Sequence, residues 1–286
     1  MKWNYYCFYE IREINGRHES RRGRSPDMSQ EILIERQDGV ATITLNRPEV
    51  RNALSSWANQ RLYELWGELD ADSAVRVIVL TSADCGTFCA GMDLKEAAQI
   101  RLSTGKDVLQ TLKDPMYQRM RTVQKPLIAA MTGHFTAGGM VLCLNCDLRI
   151  GLAGTQGGIT ESKLGRGSPW ATPLLWMLPE PVVSEMVLTG ELMPVERLHQ
   201  LGFINHVEAS PDAVRARARK MAERIRDNAP MSVSAGKRSI RSAMALGSER
   251  GFVEALEHYR AVYASEDAQE GPRAFAERRA PVWKGC

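Results

Sequence analysis

Hydrophobic and polar positions alternate with a period of two where the regular part of the chain begins. In EILIERQDGVATITLNRP, Ile32 and Ile34 alternate with polar residues, and the alternation resumes at Val40, beyond an Asp-Gly pair at 38–39. Such alternation predicts β-strands, and Asp-Gly favours a two-residue hairpin turn. We therefore predict a β-hairpin whose second strand ends at Pro48, because proline cannot donate to a strand ladder.

The spacing of apolar residues then changes from two to the three or four of an amphipathic helix. WANQRLYELWGELDAD has this spacing, with Ser55 or Ser56 as its N-cap. The next predicted elements are buried strands at 75–81, 126–132 and 147–151 and helices at about 94–122 and 138–146. Strands that alternate with helices predict an α/β fold with parallel pairing.

Beyond residue 155 the pattern predicts mostly helices. Two of them, over VVSEMVLTG and MPVERLHQLG, are expected to end at Gly190 and Gly202. The remaining predicted elements are a short strand over FINHV, an Arg-rich amphipathic helix at 211–228, a helix from Pro230 to about 246 and a helix at 250–263.

The composition is that of an ordinary globular protein. Of the 286 residues, 44% are hydrophobic and 25% are charged, which is close to the average for soluble domains. No apolar run approaches the roughly 18 residues that predict a membrane span. The net charge of +3 is too small to indicate nucleic acid by itself, so we expect neither a membrane nor a nucleic acid as partner.

The six cysteines do not form a disulfide or metal-binding framework. Cys143 and Cys146 make a C-x-x-C pair, and Cys85 and Cys89 make a C-x-x-x-C pair. Neither has a second pair at zinc-ligand spacing. We therefore expect reduced, packed thiols, no metal ion, and a reducing compartment, the cytoplasm.

The first 27 residues differ in composition from the rest. They are polar, rich in arginine and aperiodic after Ile14, and they lack the apolar core of a secretory signal. Their four acidic residues count against a transit peptide. Because Met28 opens the regular pattern, we expect residues 1–27 to be a disordered extension or to precede the true start.

Two glycine-containing turns each follow a predicted buried strand and precede a predicted helix. They are GTFCAGMDL, at 86–94, and GHFTAGGMVL, at 133–142. The carboxyl ends of strands are where α/β proteins bind ligands, and Gly91 and Gly138 permit close approach to the backbone. One N–H from each turn converging on one oxygen would make an oxyanion hole. Two ordinary strand–helix turns are the alternative.

Glu161 is the candidate acid–base residue. It lies in TQGGITESKLG, among glycine and apolar residues near a turn. If it is buried, its pKa is raised, which suits a general base that works near neutral pH. An exposed surface acid is the alternative.

Together these segments resemble the crotonase, or enoyl-CoA hydratase/isomerase, superfamily over roughly residues 30–284. The matching motifs are TLNRPEVRNAL, FCAGMDLKE, KPLIAAMTGHFTAGGMVLCLNCDLRI, PVERLHQLGFINHV and EGPRAFAERRAPVWKG. The resemblance implies an α/β fold with a spiral of ββα units over residues 28–210 and a C-terminal helical trimerisation region at 211–286. It also implies a homotrimer or dimer of trimers and an acyl-CoA substrate. No cofactor is implied beyond the coenzyme A of that substrate.

The same resemblance implies roles for individual residues. The N–H groups of Met92 and Gly138 would hold the thioester oxygen as it becomes an enolate, and Glu161 would transfer the proton at the alpha carbon. The residues implied to contact coenzyme A are Asp93, Leu94 and Lys95 along the pantetheine arm, Arg47 and Ala53 near the nucleotide, and Phe275 and Arg278 at the adenine, from a neighbouring subunit.

Departures from the family pattern narrow the chemistry. Hydratases of this family carry two glutamates that handle one water molecule, and the first of these positions is Val141 here. Thr160 and Gly157 replace the usual proline and aromatic residue before the second glutamate, and Ala137 replaces the first glycine of a triple-glycine turn. We therefore expect a complete oxyanion hole but only one of the two usual acid–base glutamates.

A single glutamate favours an isomerase or lyase-type reaction, because one carboxylate can remove and return a proton in sequence. The alternative is a single-glutamate enoyl-CoA hydratase or hydratase-lyase, in which another polar group helps to hold water. A non-catalytic acyl-CoA-binding or RNA-binding homologue is more distant, since the basic helix at 211–226 lacks interleaved aromatic residues for stacking.

Four further residues lie near these segments. Asp114 is interpreted as a solvated helix acid, and His134 as a structural residue. Trp170 and Trp176 either shape a pocket for a bulky acyl group or pack in the core.

Overall fold

The computed structural model describes residues 28–286; the prediction for residues 1–27 lies outside the described residues. The strands are β1 (Ile32–Gln37), β2 (Val40–Leu45), β3 (Val77–Ser82), β4 (Thr87–Cys89), β5 (Leu127–Met131), β6 (His134–Thr136), β7 (Leu148–Leu152), β8 (Gln156–Gly158), β9 (Met193–Pro194) and β10 (His206–Glu208). The α-helices are α1 (Ser56–Ala71), α2 (Leu94–Thr104), α3 (Gly138–Asn145), α4 (Glu180–Thr189), α5 (Val195–Gln200), α6 (Pro211–Arg226), α7 (Pro230–Leu246), α8 (Ser248–Ala264) and α9 (Glu266–Ala276).

The predicted hairpin is confirmed. β1 and β2 pair antiparallel, with Gln37 opposite Val40. The two turn residues, Asp38 and Gly39, have φ angles of 48° and 75°, as a two-residue hairpin turn with two positive φ angles requires. Ser55 is the N-cap of α1, and its hydroxyl accepts a hydrogen bond from the backbone.

The strands form two sheets that the chain visits alternately. The large sheet has the order β1-β2-β3-β5-β7-β10, and the small one β4-β6-β8-β9. From β2 to β10 the large sheet is parallel. The chain passes from β2 to β3 through α1, and from β3 onward each return to the large sheet follows a strand of the small sheet. This alternation is the predicted spiral of ββα units. It places the small sheet, with its short strands, beside the helices that follow them.

Helix α6 covers one face of the large sheet. Its residues Val214, Ala218 and Ala222, spaced by four, pack against Val77 and Val79 of β3. The intervening residues of β3 belong to the larger core on the other face, as alternation along a strand requires. Every residue of β3 is therefore buried, which explains its continuous apolar sequence.

Four of the five arginines of α6 are paired with acids. The pairs are Arg215 with Asp84 and Asp212, Arg217 with Glu208, Arg219 with Asp38 and Glu223, and Arg226 with Asp227. Their charge is therefore largely compensated within the chain, which disfavours a phosphate-binding stripe on this helix.

The helix predicted over about 94–122 is wrong beyond its first third. α2 ends at Thr104, because Gly105 adopts the left-handed conformation with φ of 70°. The chain continues through two short 3-10 helices, Val108–Gln110 and Gln118–Thr122. Asp114, interpreted as a solvated helix acid, instead caps the second one, where it accepts two hydrogen bonds of 2.8 Å from backbone N–H groups.

The short strands of the small sheet were not predicted, because two or three residues show no periodicity. The strand predicted over FINHV is displaced: only its last two residues belong to β10. Phe203 and Ile204 are buried, and their N–H groups donate to the carbonyl of Leu198 instead. The helix predicted over MPVERLHQLG is shorter, because Met193–Pro194 is β9.

The chain ends in the helices α7, α8 and α9, of which α9 was not predicted from the polar segment that forms it. α7 and α8 pack against each other and leave large apolar side chains exposed, including Ile240, Phe252 and Leu256. None of the helices in residues 28–286 combines the length and the apolar composition that crossing a bilayer requires.

Candidate active site

The two glycine turns meet beside the small sheet. β4 and β6 pair in parallel, and the turns after them lie against each other. A β-carbon added at Gly91 would lie 2.8 Å from the β-carbon of Ala137 and 3.0 Å from the backbone nitrogen of Gly138. These distances are well inside van der Waals contact. With a φ of 91°, position 91 therefore requires glycine both for conformation and for space.

A second close approach holds the start of α3 at this junction. A β-carbon at Gly139 would lie only 2.3 Å from the carbonyl oxygen of Cys89, in β4. The backbone of α3 thus rests directly on the small sheet. The positive end of the helix dipole and the unsatisfied N–H groups of its first turn are fixed where the two turns meet.

Two backbone N–H groups at the junction are available to a ligand. Gly138 is the first residue of α3, so its N–H has no acceptor within the helix. Met92 forms an isolated parallel bridge with Leu54. The N–H of Leu54 donates to the residue before Met92, and the carbonyl of Leu54 accepts from the residue after it. In this pattern the Met92 N–H points away from Leu54, and no acceptor for it is found within residues 28–286.

Glu161 is buried just beyond the small sheet, so the alternative of an exposed surface acid is wrong. It is the first residue of the 3-10 helix Glu161–Leu164, and it is 9% exposed. Its Oε1 accepts a 3.1 Å hydrogen bond from Trp170 Nε1. Its Oε2 is fully buried and has no hydrogen-bond partner among the described residues.

Burial raises the pKa of Glu161 from its ordinary value, because an ionised carboxylate is poorly solvated there. Hydrogen bonds from the backbone and from Trp170 stabilise the ionised form and oppose this rise in pKa. The residue therefore combines an anchored oxygen with a free one, and it can hold or release a proton closer to neutral pH than an exposed glutamate can.

Val141 gives the site an apolar wall. It is 3% exposed in α3, and together with Trp170 it lines a cavity of about 60 Å³. Trp170 also donates to Glu161, so the cavity that Val141 lines shares one of its residues with the surroundings of that carboxylate. The side chain of valine cannot transfer a proton, so position 141 does not provide a second carboxylate.

The residues implied to lie near coenzyme A form one cluster on the chain. Arg47 donates to the carbonyl of Ala53 at 2.7 Å and to Asp93 at 3.0 Å, and it lies 3.5 Å from Glu31. Asp93 is also the N-cap of α2. The guanidinium of Arg47 is thus engaged by the protein itself, and it ties the turn after β2 to the start of α2.

Beyond this cluster, Leu94 and Lys95 are exposed at the start of α2. Phe275 is 87% exposed in α9, and Arg278 follows that helix in the left-handed conformation, with φ of 54°. Within residues 28–286, no hydrogen bond or ion pair joins either of these last two to the Arg47 cluster.

Other sequence candidates have structural roles. His134 Nδ1 accepts a 3.0 Å hydrogen bond from the backbone of Gln156, in the neighbouring strand. At Gly157 the usual aromatic residue is excluded, because a β-carbon there would lie 2.1 Å from the ring of Phe135. Trp176 is 59% exposed and donates to the carbonyl of Met244.

Sequence reasoning missed two features of the site. The indole N–H of Trp170 bonds Glu161, and the signal for it was available, since a buried tryptophan normally finds a partner for its N–H. Asn145, a buried amide at the end of the apolar helix α3, also lines the cavity beside Val141. A lone polar residue on an apolar helix is the pattern that pointed to it.

The cysteines of the described residues are free thiols. Burial raises the pKa of Cys89 and of Cys146 to about 12, so both are protonated. Cys143 is buried against Met131. Within residues 28–286, no group of three or more histidine, cysteine or acidic side chains is arranged to hold a metal ion.

The spiral fold, the two opposed glycine turns and the buried carboxylate define a crotonase-type enzyme. The chain matches the family model described as enoyl-CoA hydratase/isomerase over residues 35–286, and it belongs to that family. This match confirms the resemblance drawn from the sequence motifs.

Relatives and solved structures agree with this assignment. The chain is 34% identical to (E)-benzylidenesuccinyl-CoA hydratase of Thauera aromatica over 89% of this chain and 99% of that protein. It is 35% identical to enoyl-CoA hydratase EchA19 of Mycobacterium tuberculosis over 88% and 95% of the two chains. A probable enoyl-CoA hydratase/isomerase from Mycobacterium abscessus has 37% identity and a TM-score of 0.79, over 91% of this chain and 100% of its own. The fold class and the prediction of an enzyme are thereby confirmed.

Proposed function

We propose that the enzyme converts an enoyl-CoA thioester through an enolate, with Glu161 as the only carboxylate that moves the proton at the alpha carbon. The observation that carries this proposal is the free oxygen of Glu161. Oε2 is buried and has no partner within residues 28–286, while Oε1 is held by Trp170. A buried carboxylate of raised pKa with one unpartnered oxygen suits a group that first accepts and then donates a proton.

The opposed turns supply the electrophilic half of this chemistry. The N–H groups of Met92 and Gly138 would hold the thioester oxygen, and the positive end of α3 would stabilise the charge that develops on it. Donors of this kind each contribute on the order of 10²- to 10³-fold in rate. Support comes from the close packing of Gly91 on Gly138 and from the free N–H groups of the junction.

The favoured reaction is migration of a double bond. Glu161 removes a proton from the carbon between the thioester carbonyl and the double bond of a 3-enoyl thioester, and the electron pair moves onto the thioester oxygen. The protonated Glu161 then returns the proton to the far carbon of the allylic system, and the electron pair returns to give the 2-enoyl thioester. Val141 favours this path, because it offers no second carboxylate to hold water.

Hydration or dehydration by a single glutamate is the second candidate. The names of the two curated relatives, which are both called hydratases, favour it. In this reaction Glu161 would take a proton from water while the water oxygen adds to the beta carbon, and it would then deliver that proton to the alpha carbon of the resulting enolate. A polar side chain elsewhere in the site would then have to hold the water in place of a second carboxylate.

Coenzyme A is proposed to enter as part of the substrate, and the proposed reaction uses no separate cofactor. Its pantetheine arm would follow Asp93, Leu94 and Lys95, and its nucleotide would lie by Arg47 and Ala53. Phe275 and Arg278 would reach the adenine from another subunit. The ring of Phe275 is exposed and therefore available for this contact. The cytoplasm remains the expected compartment.

Replacement of the proposed acid–base residue tests the mechanism. Glu161→Gln should lower turnover of 3-enoyl-CoA by at least about 10³-fold, because the amide cannot accept the proton. Binding of a saturated acyl-CoA should change little. Steady-state assays with short, long and aromatic 2-enoyl- and 3-enoyl-CoA, together with deuterium uptake at the alpha carbon in heavy water, provide the measurements. Turnover that survives in the variant would show that another group moves the proton.

Two further variants sharpen the result. Glu185→Gln makes the same chemical change at an exposed position of α4 and should leave turnover unchanged. Val141→Glu restores a carboxylate at the position of the usual second glutamate. A gain of hydration of 2-enoyl-CoA in this variant supports isomerisation as the native reaction, whereas efficient hydration by the unaltered enzyme favours the second candidate.

A further inference from the structure

The cavity of about 60 Å³ lies beyond the proposed reaction centre. Val141 and Trp170 form its near walls, and Trp170 is bonded to Glu161 at 3.1 Å. Asn145, one turn beyond Val141 on the same face of α3, also lines it. Since a helix rises about 1.5 Å per residue, Asn145 lies about 10 Å along the axis from Gly138. An acyl group that is held by its carbonyl at Gly138 and runs along α3 past Val141 would reach Asn145.

The far wall of the cavity is polar and unused by the protein. Asn145, Gln118 and Arg121 line it, and within residues 28–286 the side chains of all three lack hydrogen bonds and ion pairs. Asn145 is only 9% exposed, so its amide keeps little contact with water and gains no partner within residues 28–286. A buried amide in this condition is costly unless a ligand or water completes its hydrogen bonds.

The charge around this wall is positive. Arg121 is an exposed guanidinium, and Arg241 of α7 donates to its backbone carbonyl. Arg241 also pairs with Asp147 at 3.2 Å, and Asp147 pairs in turn with Lys237 at 2.7 Å. The positive charge of Arg121 is therefore left for a ligand.

We infer that the acyl group of the substrate ends in a carboxylate, which Arg121 and the Asn145 amide bind at the far wall of this cavity. The inference rests on the proposed function, because it needs the thioester held at Gly138. Arginine pairs with carboxylate through two parallel hydrogen bonds, and an amide N–H2 group donates further ones. A plain alkyl end would leave Asn145 unpaired, and sites with unpaired polar groups reject such analogues.

Binding measurements separate this inference from the chemistry. The full-length Glu161→Gln variant is titrated with saturated CoA thioesters in pairs of equal length: glutaryl with pentanoyl, adipyl with hexanoyl, and suberyl with octanoyl. The carboxylated member of at least one pair should bind about 10- to 100-fold more tightly, as hydrogen bonds to a charged group predict. Equal affinity within every pair overturns the inference.

Variants of Arg121 identify the binding group. Arg121→Met should remove the preference for the carboxylated thioester while leaving the affinity for the alkyl one, and Arg121→Lys should restore part of it. Lys113→Met removes a charge from the same exposed segment, outside the cavity lining, and should preserve the preference. If Arg121→Met weakens both members of a pair equally, Arg121 acts on coenzyme A and the inference fails.

Turnover assays of the unaltered enzyme complete the distinction. Turnover of alkyl enoyl-CoA without any preference for a carboxylated chain overturns this inference and leaves the proposed function standing. A binding preference for carboxylated thioesters without turnover of any enoyl-CoA upholds the carboxylate site and overturns the proposed function.

Discussion

The carboxylate of Glu161 is held asymmetrically. Trp170 bonds Oε1 at 3.1 Å, while Oε2 has no partner among the described residues. A carboxylate held in this way has a fixed orientation, so the oxygen that meets the substrate is always the same one. Trp170 is thus proposed as a positioning residue for Glu161.

Loss of the indole N–H should change the pH dependence of the reaction. Trp170→Phe keeps an aromatic side chain, although a smaller one, but the hydrogen bond that lowers the pKa of Glu161 is gone, so the pKa of Glu161 rises further. In the proposed reaction the ionised form of Glu161 takes the first proton, so the acidic limb of kcat/KM against pH should move to higher pH. Turnover at neutral pH should fall about tenfold.

A matched control exists in the same 3-10 helix, Pro169–Trp176. Trp176→Phe removes an indole N–H that bonds the carbonyl of Met244, and it should leave the acidic limb in place. A uniform loss of rate in Trp170→Phe, with the limb unmoved, would mean that Trp170 only fills space.

At the scale of secondary structure elements, the sequence predicted those parts whose signal is local. The Asp38–Gly39 hairpin, the Ser55 cap and the buried strand at 75–81 each follow from a few adjacent residues. β4, β6 and β8 escaped prediction, because three-residue strands depend on neighbours distant in the chain. Likewise, burial of Glu161 depends on packing and on Trp170, which local sequence does not reveal.

Ala137, at the start of α3, has a strained backbone conformation. As N-cap of α3 it has φ of 49° and ψ of −119°, a conformation that costs a residue other than glycine about 1–3 kcal/mol. Ala137→Gly removes this strain but makes the unfolded chain more flexible by about 0.5–1 kcal/mol. The net expectation is stabilisation of about 1 kcal/mol, seen as a Tm higher by about 2 °C.

The same substitution in a regular helix provides the control for Ala137. Ala58→Gly in α1 places glycine where the backbone is helical and buried, and it should lower the stability by about 1 kcal/mol or more. Equal destabilisation by both substitutions in thermal or urea unfolding would show that Ala137 is unstrained.

On the scale of the whole molecule, the C-terminal helices carry an uncovered apolar surface. Phe252, Leu256 and Tyr263 of α8 are 65%, 56% and 74% exposed, and their spacing of four and seven places them on one face of the helix. Ile240 of α7 is 64% exposed. Contiguous apolar exposure of this kind marks an interaction surface.

We expect this surface to be covered by further copies of the chain, in a homotrimer or a dimer of trimers. Burial of each large apolar side chain stabilises an assembly by about 1.5–3 kcal/mol, so Phe252→Glu combined with Leu256→Glu should dissociate it. Sedimentation or light scattering should give three or six protomers for the unaltered protein and fewer for the variant. Leu33→Glu, on the edge strand β1, replaces a partly exposed leucine away from α7 and α8 and should leave the assembly intact. A monomer at micromolar concentration before any substitution would refute this expectation, and Phe275 and Arg278 would then have no neighbouring subunit to serve.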